Sequence, residues 1–242
     1  MNNQGSDFLV STEWLGNHLR DPNMKIFDCT TILKPDETGK LIAESGFDDW
    51  QQGHIESSNY IDLMNNLSVQ EHRFRFMSPL LADVHETFMN YGITDDSEVI
   101  LYDRSGNSWA ARIWWMLRTI GFESAKILDG GYRKWTLEGR PVTKSSDSYP
   151  SGRLSFIPRP ELFVDMETVL QSVEEGSTCL INALSEDQHL GRDQGRTYGR
   201  AGHIPTSINI PAGEMINSET HEYLQLEELQ MIMNRNFKDF KF

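Results

Sequence analysis

Residues 98–107 read Glu98-Val99-Ile100-Leu101-Tyr102-Asp103-Arg104-Ser105-Gly106-Asn107, an apolar run followed by polar residues and glycine. The apolar run predicts a buried strand, and the polar residues predict a tight turn. The next segment, from Ser108 to Ile120, is rich in Trp and Met and predicts a helix. A further strand is expected at Ala125-Lys126-Ile127-Leu128. Strands that alternate with helices indicate an α/β fold with a mostly parallel sheet flanked by helices.

A shorter motif occurs twice, as Gly53-His54-Ile55 and as Gly202-His203-Ile204, and predicts two related modules. We expect a first domain over residues 7–140, a linker rich in Ser, Pro and Gly over residues 141–160, and a second domain over residues 161–242. The second copy has no counterpart of the 98–107 segment before Phe242, so this domain is predicted to be incomplete, or truncated. Its open sheet edge would favour a homodimer formed through that domain.

Composition restricts the class of partner and the compartment. The net charge of −14 argues against nucleic acid and acidic membranes, because both are bound largely through Lys and Arg. The chain has no apolar run long enough to span a membrane, and its start is polar. Its two cysteines, Cys29 and Cys179, do not form a disulfide framework. These features predict a cytoplasmic protein.

A strand followed by a turn and a helix N-terminus can bind an anion, because the backbone N–H groups converge there. A cysteine at the first position of such a turn would have a lowered pKa and react as a thiolate. Asp103 takes this position here. A carboxylate cannot accept and transfer sulfur, and it would repel an incoming anion. The simpler interpretation is that Asp103 caps the helix at Ser108 or is neutralised by Arg104 or Arg112.

Three motifs in a fixed order resemble a known family. They are Val99-Ile100-Leu101-Tyr102-Asp103-Arg104-Ser105-Gly106, Arg112-Ile113-Trp114-Trp115-Met116-Leu117-Arg118 and Leu128-Asp129-Gly130-Gly131-Tyr132-Arg133-Lys134-Trp135. Together with both Gly-His-Ile segments, they resemble the tandem rhodanese-type sulfurtransferases, which are the thiosulfate and 3-mercaptopyruvate sulfurtransferases. The resemblance extends from about Phe8 to Met233.

This resemblance implies transfer of sulfane sulfur from thiosulfate or 3-mercaptopyruvate to a thiophilic acceptor through a cysteine persulfide. It implies a small anionic sulfur donor as partner and no metal or organic cofactor. In the family the N-terminal domain is normally non-catalytic and commonly has Asp at the cysteine position, which matches Asp103. The catalytic cysteine belongs to the C-terminal domain, and its counterpart is missing from residues 1–242. We therefore assign no catalytic residue and predict that the chain is inactive alone.

Two other functions remain open at this point. The repeat could serve as a non-catalytic binding or scaffold module that binds a partner or a small anion without a covalent step. A phosphatase with a rhodanese-like fold is a weaker alternative, because it would also need the missing cysteine loop.

The resemblance also predicts arginines that contact the anionic substrate, but Leu184 and Gln188 occupy the matching positions. Three arginines follow and are candidates for a shifted anion site: Arg192, Arg196 and Arg200. The alternative is that they cover a loop and balance nearby carboxylates in exposed pairs.

The remaining chemistry-bearing residues favour structural roles. Cys29 and Cys179 adjoin apolar strands and are expected to be buried, inert thiols. His54 and His203 occupy matched positions beside glycine, which predicts a hydrogen bond from each ring to a backbone carbonyl. Neither histidine has a Cys or His partner at ligand spacing, so no metal site is predicted.

Overall fold

The computed structural model describes residues 7–145, 148–176, 178–193 and 200–237. Contacts among these residues divide the chain into two units. Unit 1 takes in the chain up to Leu33, Ala43–Leu162 and Thr220–Glu222, whereas unit 2 takes in Lys34–Ile42, Phe163–Glu219 and the chain from Tyr223.

The strands are, in chain order, β1 (Leu9–Val10), β2 (Met24–Asp28), β3 (Thr31–Pro35), β4 (Leu41–Ser45), β5 (His54–Ile55), β6 (Ser58–Tyr60), β7 (Glu98–Tyr102), β8 (Ala125–Leu128), β9 (Val142–Thr143), β10 (Ile181–Asn182) and β11 (Ile208–Asn209). The α-helices are α1 (Thr12–His18), α2 (Phe47–Gln52), α3 (Leu63–Asn66), α4 (Leu81–Asn90), α5 (Ser108–Thr119), α6 (Gly131–Leu137), α7 (Met166–Glu175), α8 (Glu186–His189) and α9 (Leu226–Asn236). Each of these helices is too short or too polar to cross a membrane.

Unit 1 is built on a parallel sheet with the strand order β1-β8-β7-β2-β6. The apolar segment identified in the sequence forms β7, which lies between β8 and β2, and its residues Val99 to Tyr102 are fully buried. A strand buried on both faces needs a continuous apolar run, as β7 has. The predicted α/β fold with a parallel sheet is confirmed.

The core of unit 1 lies between this sheet and its helices. Its members include Leu15, Ile26, Ile100, Leu128 and Trp135. These five side chains are fully buried, and the indole Nε1 of Trp135 donates to the carbonyl oxygen of Pro141 at 2.9 Å. This packing fixes α6 against the sheet, and α6 begins directly beside the end of β7.

Unit 2 has much less buried surface. Strands β10 and β11 form a two-stranded parallel sheet in which Ile181 pairs with Ile208. Among the described residues of this unit, Ile210 alone is buried. Met166 and Met231 are largely exposed, although both lie on amphipathic helices. The apolar faces of this unit are therefore mostly open to solvent.

Three other segments have local structure that apolar patterning does not indicate. The stretch around Lys34 to Lys40 is the tip of a β3–β4 hairpin, whose turn is closed by the hydrogen bond that the N–H of Lys40 donates to the Asp36 carboxylate at 2.9 Å. An exposed hairpin lacks the apolar alternation that reveals a strand. Residues 163–165 end with Asp165, which caps α7. The apolar stretch at residues 179–183 forms a strand only at Ile181–Asn182.

Candidate functional site at the Asp103 turn

The turn between β7 and α5, residues 103–107, is organised around the carboxylate of Asp103, which is 1% exposed. Its Oδ1 accepts hydrogen bonds from the backbone N–H groups of Ser105 at 2.7 Å and Asn107 at 3.0 Å. Its Oδ2 accepts from those of Trp109 at 2.8 Å and Ala110 at 2.9 Å. The N–H groups that would bind an external anion are thus saturated by an internal one, and the predicted capping role is confirmed.

The conformation of this Asp103 turn depends on left-handed backbone. Gly106 has φ of 87° and Asn107 has φ of 68°, which directs successive N–H groups toward Asp103. The start of α6 packs closely against the turn. A Cβ atom on Gly131 would lie 2.5 Å from the carbonyl oxygen of Asp103, and the N–H of Tyr132 donates to that oxygen at 3.1 Å. Only glycine permits this approach without displacement.

Arg104 does not neutralise Asp103, contrary to one of the sequence interpretations. Its guanidinium donates to the carbonyl oxygen of Gly53 at 2.6 Å, pairs with Asp28 at 3.3 Å and stacks on the ring of Tyr132 at 3.8 Å. Asp28 is fully buried at the end of β2. Burial raises the pKa of this carboxyl group, and Arg104 opposes that shift.

Arg112, the other candidate for neutralising Asp103, donates from Nη2 to the carbonyl oxygen of Phe76 at 3.0 Å. Burial of its guanidinium lowers the pKa of Arg112. Because backbone N–H groups already occupy the Asp103 carboxylate, the turn does not require a cation at this position.

The two matched histidines have the same structural role, as predicted. The Nδ1 atom of His54 bonds to the carbonyl oxygen of Trp50 at 2.8 Å, and the two rings stack at 4.2 Å. The Nδ1 atom of His203 bonds to the carbonyl oxygen of His189 at 2.7 Å, and those rings stack at 3.7 Å. The expected hydrogen bond to a backbone carbonyl is confirmed in both segments.

The two cysteines differ in their surroundings. Cys29 is fully buried, and burial, followed by the nearby Asp28 and Asp103 carboxylates, raises the pKa of its thiol well above the ordinary value. The predicted burial of this thiol is confirmed, and a raised pKa is typical of a poor nucleophile, whereas its inertness stays a prediction. Cys179 is only partly buried, so the expectation of a buried thiol is wrong for this residue. It precedes β10 in the sparsely covered unit 2.

Two of the three candidate anion-binding arginines, Arg192 and Arg200, are described by the structure and belong to unit 2. Arg192 is exposed and pairs with Asp187 at 3.5 Å. Arg200 is exposed and lines a cavity of about 530 Å³ together with apolar residues that include Val164, Leu170 and Ile204. Arg196 lies outside the described residues. An anion site formed by these arginines stays a prediction.

The Asp103 turn also contacts a distant segment of the chain, and no local sequence pattern predicts this contact. Unit 1 includes Thr220–Glu222, and Asn107 donates from Nδ2 to the carbonyl oxygen of His221 at 2.9 Å. Lys134 forms an ion pair with Glu222. Burial and the nearby Arg133 lower the pKa of His221, an effect that Asp103 opposes. The Gly106-Asn107 pair could have indicated the left-handed turn, but not this distant partner.

Comparison with known proteins agrees with this geometry. Residues 11–138 match the family model described as a Rhodanese-like domain. The chain is 30% identical to the sulfur carrier protein TtuD of Thermus thermophilus over 93% of this chain and 76% of the relative. It is 28% identical to the 3-mercaptopyruvate sulfurtransferase of Escherichia coli K12 over 86% of this chain and 73% of the relative.

Structural similarity leads to the same family. The crystal structure of SseA from Escherichia coli, a 3-mercaptopyruvate sulfotransferase, matches with a TM-score of 0.79 and 26% identity, over 96% of this chain and 84% of that structure. The chain thus spans about three quarters of the length of the curated relatives named above. From its parallel sheet, its strand–turn–helix unit and these matches, the chain belongs to the rhodanese family of sulfurtransferase-like proteins.

Proposed function

We propose that unit 1 is a non-catalytic rhodanese-like domain and that residues 1–242 by themselves do not transfer sulfane sulfur. The observation that carries this proposal is the Asp103 carboxylate, whose two oxygens accept four backbone hydrogen bonds at the turn. This carboxylate stands where a nucleophilic thiolate would be activated and where an anionic donor would bind.

The chemistry requires a reactive sulfur atom. A thiolate attacks the outer sulfur of thiosulfate, the S–S bond of the donor breaks, and sulfite leaves with the electron pair. The enzyme persulfide then gives its outer sulfur to cyanide, forming thiocyanate and regenerating the thiolate. Cys29 is buried with a raised pKa, and Cys179 precedes a strand instead of following one. Neither cysteine matches the environment that activates a nucleophilic thiol.

The test is thiocyanate formation from thiosulfate and cyanide by the purified chain. We expect the rate to equal that of a Cys29→Ser, Cys179→Ser double variant, because neither thiol contributes. The same comparison with 3-mercaptopyruvate covers the other donor implied by the relatives' names. Turnover that exceeds that of the double variant would overturn the proposal.

A non-catalytic binding or scaffold module is the second candidate, and the saturated Asp103 turn favours it because no group there is left to react. A covalent label distinguishes both non-catalytic candidates from sulfur transfer by this chain. A mass increase of one sulfur atom on either cysteine after incubation with thiosulfate would support sulfur transfer. An unlabelled, folded chain would support the binding module.

A further inference from the structure

We infer that the Asp103 turn and the start of α6 form a peptide-binding site, whose occupant is the segment Thr220–Glu222 of the same chain. The turn binds the backbone of this segment through the Asn107 side chain, and α6 binds one acidic side chain of the segment through Lys134. This inference goes beyond the proposed lack of catalysis, because it assigns the turn a positive role. It rests on three contacts in unit 1.

The first contact is a hydrogen bond to the backbone of the segment. Asn107 is 1% exposed and connects two parts of the site: its N–H donates to Asp103 at 3.0 Å, and its side-chain Nδ2 donates to the carbonyl oxygen of His221 at 2.9 Å. A buried side-chain amide has few alternative partners, so its bond to a backbone carbonyl favours this particular path of the chain.

The second contact is steric. Gly130 has φ of 85° and is the N-cap residue of α6, and a Cβ atom at this position would lie 2.5 Å from the Cβ atom of Lys134 and 3.0 Å from the carbonyl oxygen of Thr220. The absence of a side chain on Gly130 therefore leaves room first for the Lys134 side chain and then for the segment beside it.

The third contact is an ion pair with a side chain of the segment. Lys134 pairs with Glu222, and Lys134 is also 3.7 Å from Glu138 in the next turn of the helix. The side chains of Lys134 and Glu222 are 21% and 33% exposed, so the pair is partly shielded from solvent. An acidic residue is thus the side chain that this end of the site accepts.

The segment itself adopts a backbone that needs support. His221 has φ of 62°, a left-handed conformation that is uncommon for residues other than glycine. The contacts from Asn107 and Lys134 fall on His221 and on the next residue, so they support the strained position. The segment is accordingly bound in a defined conformation.

Hydrogen exchange of the amides at residues 220–224, followed by mass spectrometry, tests this site. In Asn107→Gly and in Glu222→Ala we expect exchange there to rise about tenfold, because each change removes one polar contact of the segment. Glycine tolerates the left-handed backbone of Asn107, so the turn keeps its conformation. Exchanging the charges, in a Lys134→Glu, Glu222→Lys double variant, should restore slow exchange relative to Lys134→Glu alone.

The matched control is Arg235→Ala, which removes an exposed ion pair to Glu214 in unit 2 and should leave exchange at residues 220–224 unchanged. Glu222 lies outside the Asp103 turn, so Glu222→Ala decides the question even where Asn107→Gly lowers stability. Unchanged exchange at residues 220–224 in Glu222→Ala would overturn the inference. Such a result would leave the proposed function unaffected. Thiocyanate turnover, in contrast, would overturn the proposed function and leave the peptide site unaffected.

Discussion

Replacing Asp103 with cysteine is expected to create a thiolate at neutral pH in unit 1. The four N–H groups that now bond to the Asp103 carboxylate would face the sulfur atom at the start of α5. Hydrogen-bond donors and a helix N-terminus both stabilise the charged form, so the pKa of the new thiol should fall well below that of a free cysteine. Thiolate absorbance measured against pH, in a Cys29→Ser, Cys179→Ser background, gives this pKa.

The same variant should accept sulfur from thiosulfate, which mass spectrometry would detect as one added sulfur atom. The segment Thr220–Glu222 adjoins the turn, so we expect labelling to be faster when Glu222→Ala is added. Asp103→Ser in the same background is the control, because it keeps a small polar side chain without a thiol. A new thiol that titrates like an ordinary cysteine would contradict the view that this turn is organised for an anion.

Replacing Arg104 with alanine is expected to lower the free energy of unfolding by about 3–5 kcal/mol, the usual effect of leaving a buried charge without its partner. Asp28 is fully buried and pairs with Arg104, which also contacts the Gly53 carbonyl and the Tyr132 ring. Urea denaturation at neutral pH, compared with the unmodified chain, measures the loss.

Asp28 provides the control for this prediction. In the Arg104→Ala background, Asp28→Asn should recover part of the lost stability because the amide carries no charge. The pKa of Asp28 is raised in the folded chain, so the carboxyl group binds its proton more tightly folded than unfolded. The decrease in the free energy of unfolding caused by Arg104→Ala should therefore become smaller as the pH falls through the raised pKa of Asp28. If Arg104→Ala lowers the free energy of unfolding by less than about 1 kcal/mol, which is typical of an exposed ion pair, the prediction is contradicted.

The parts of the fold that the sequence predicted are those with strong local signals. Strand β7 is a continuous apolar run, and α5 buries Ala110, Ile113 and Leu117 at helical spacing, so both were found with nearly correct bounds. The β3–β4 hairpin was missed because its tip is polar and exposed. Its strands are specified mainly by the closing turn at Asp36, a weaker signal than a buried face.

The site was only partly predictable for a similar reason. Capping by Asp103 follows from its place before a helix, which is a local property. The partner of Arg104 is 76 residues away, and only the pairing of Asp28 with Tyr102 between β2 and β7 brings that carboxylate to the turn. The bond from Asn107 to His221 spans 114 residues and has no local pattern at all. Contacts of this kind depend on sheet register and chain path.

Unit 2 has few buried side chains, since Ile210 is the one buried residue among those described, and we expect this unit to unfold locally before unit 1 does. Little apolar area is withdrawn from water there, so little free energy resists local melting. Native-state exchange should accordingly detect partially unfolded molecules in which β10 and β11 have separated while the sheet of unit 1 persists.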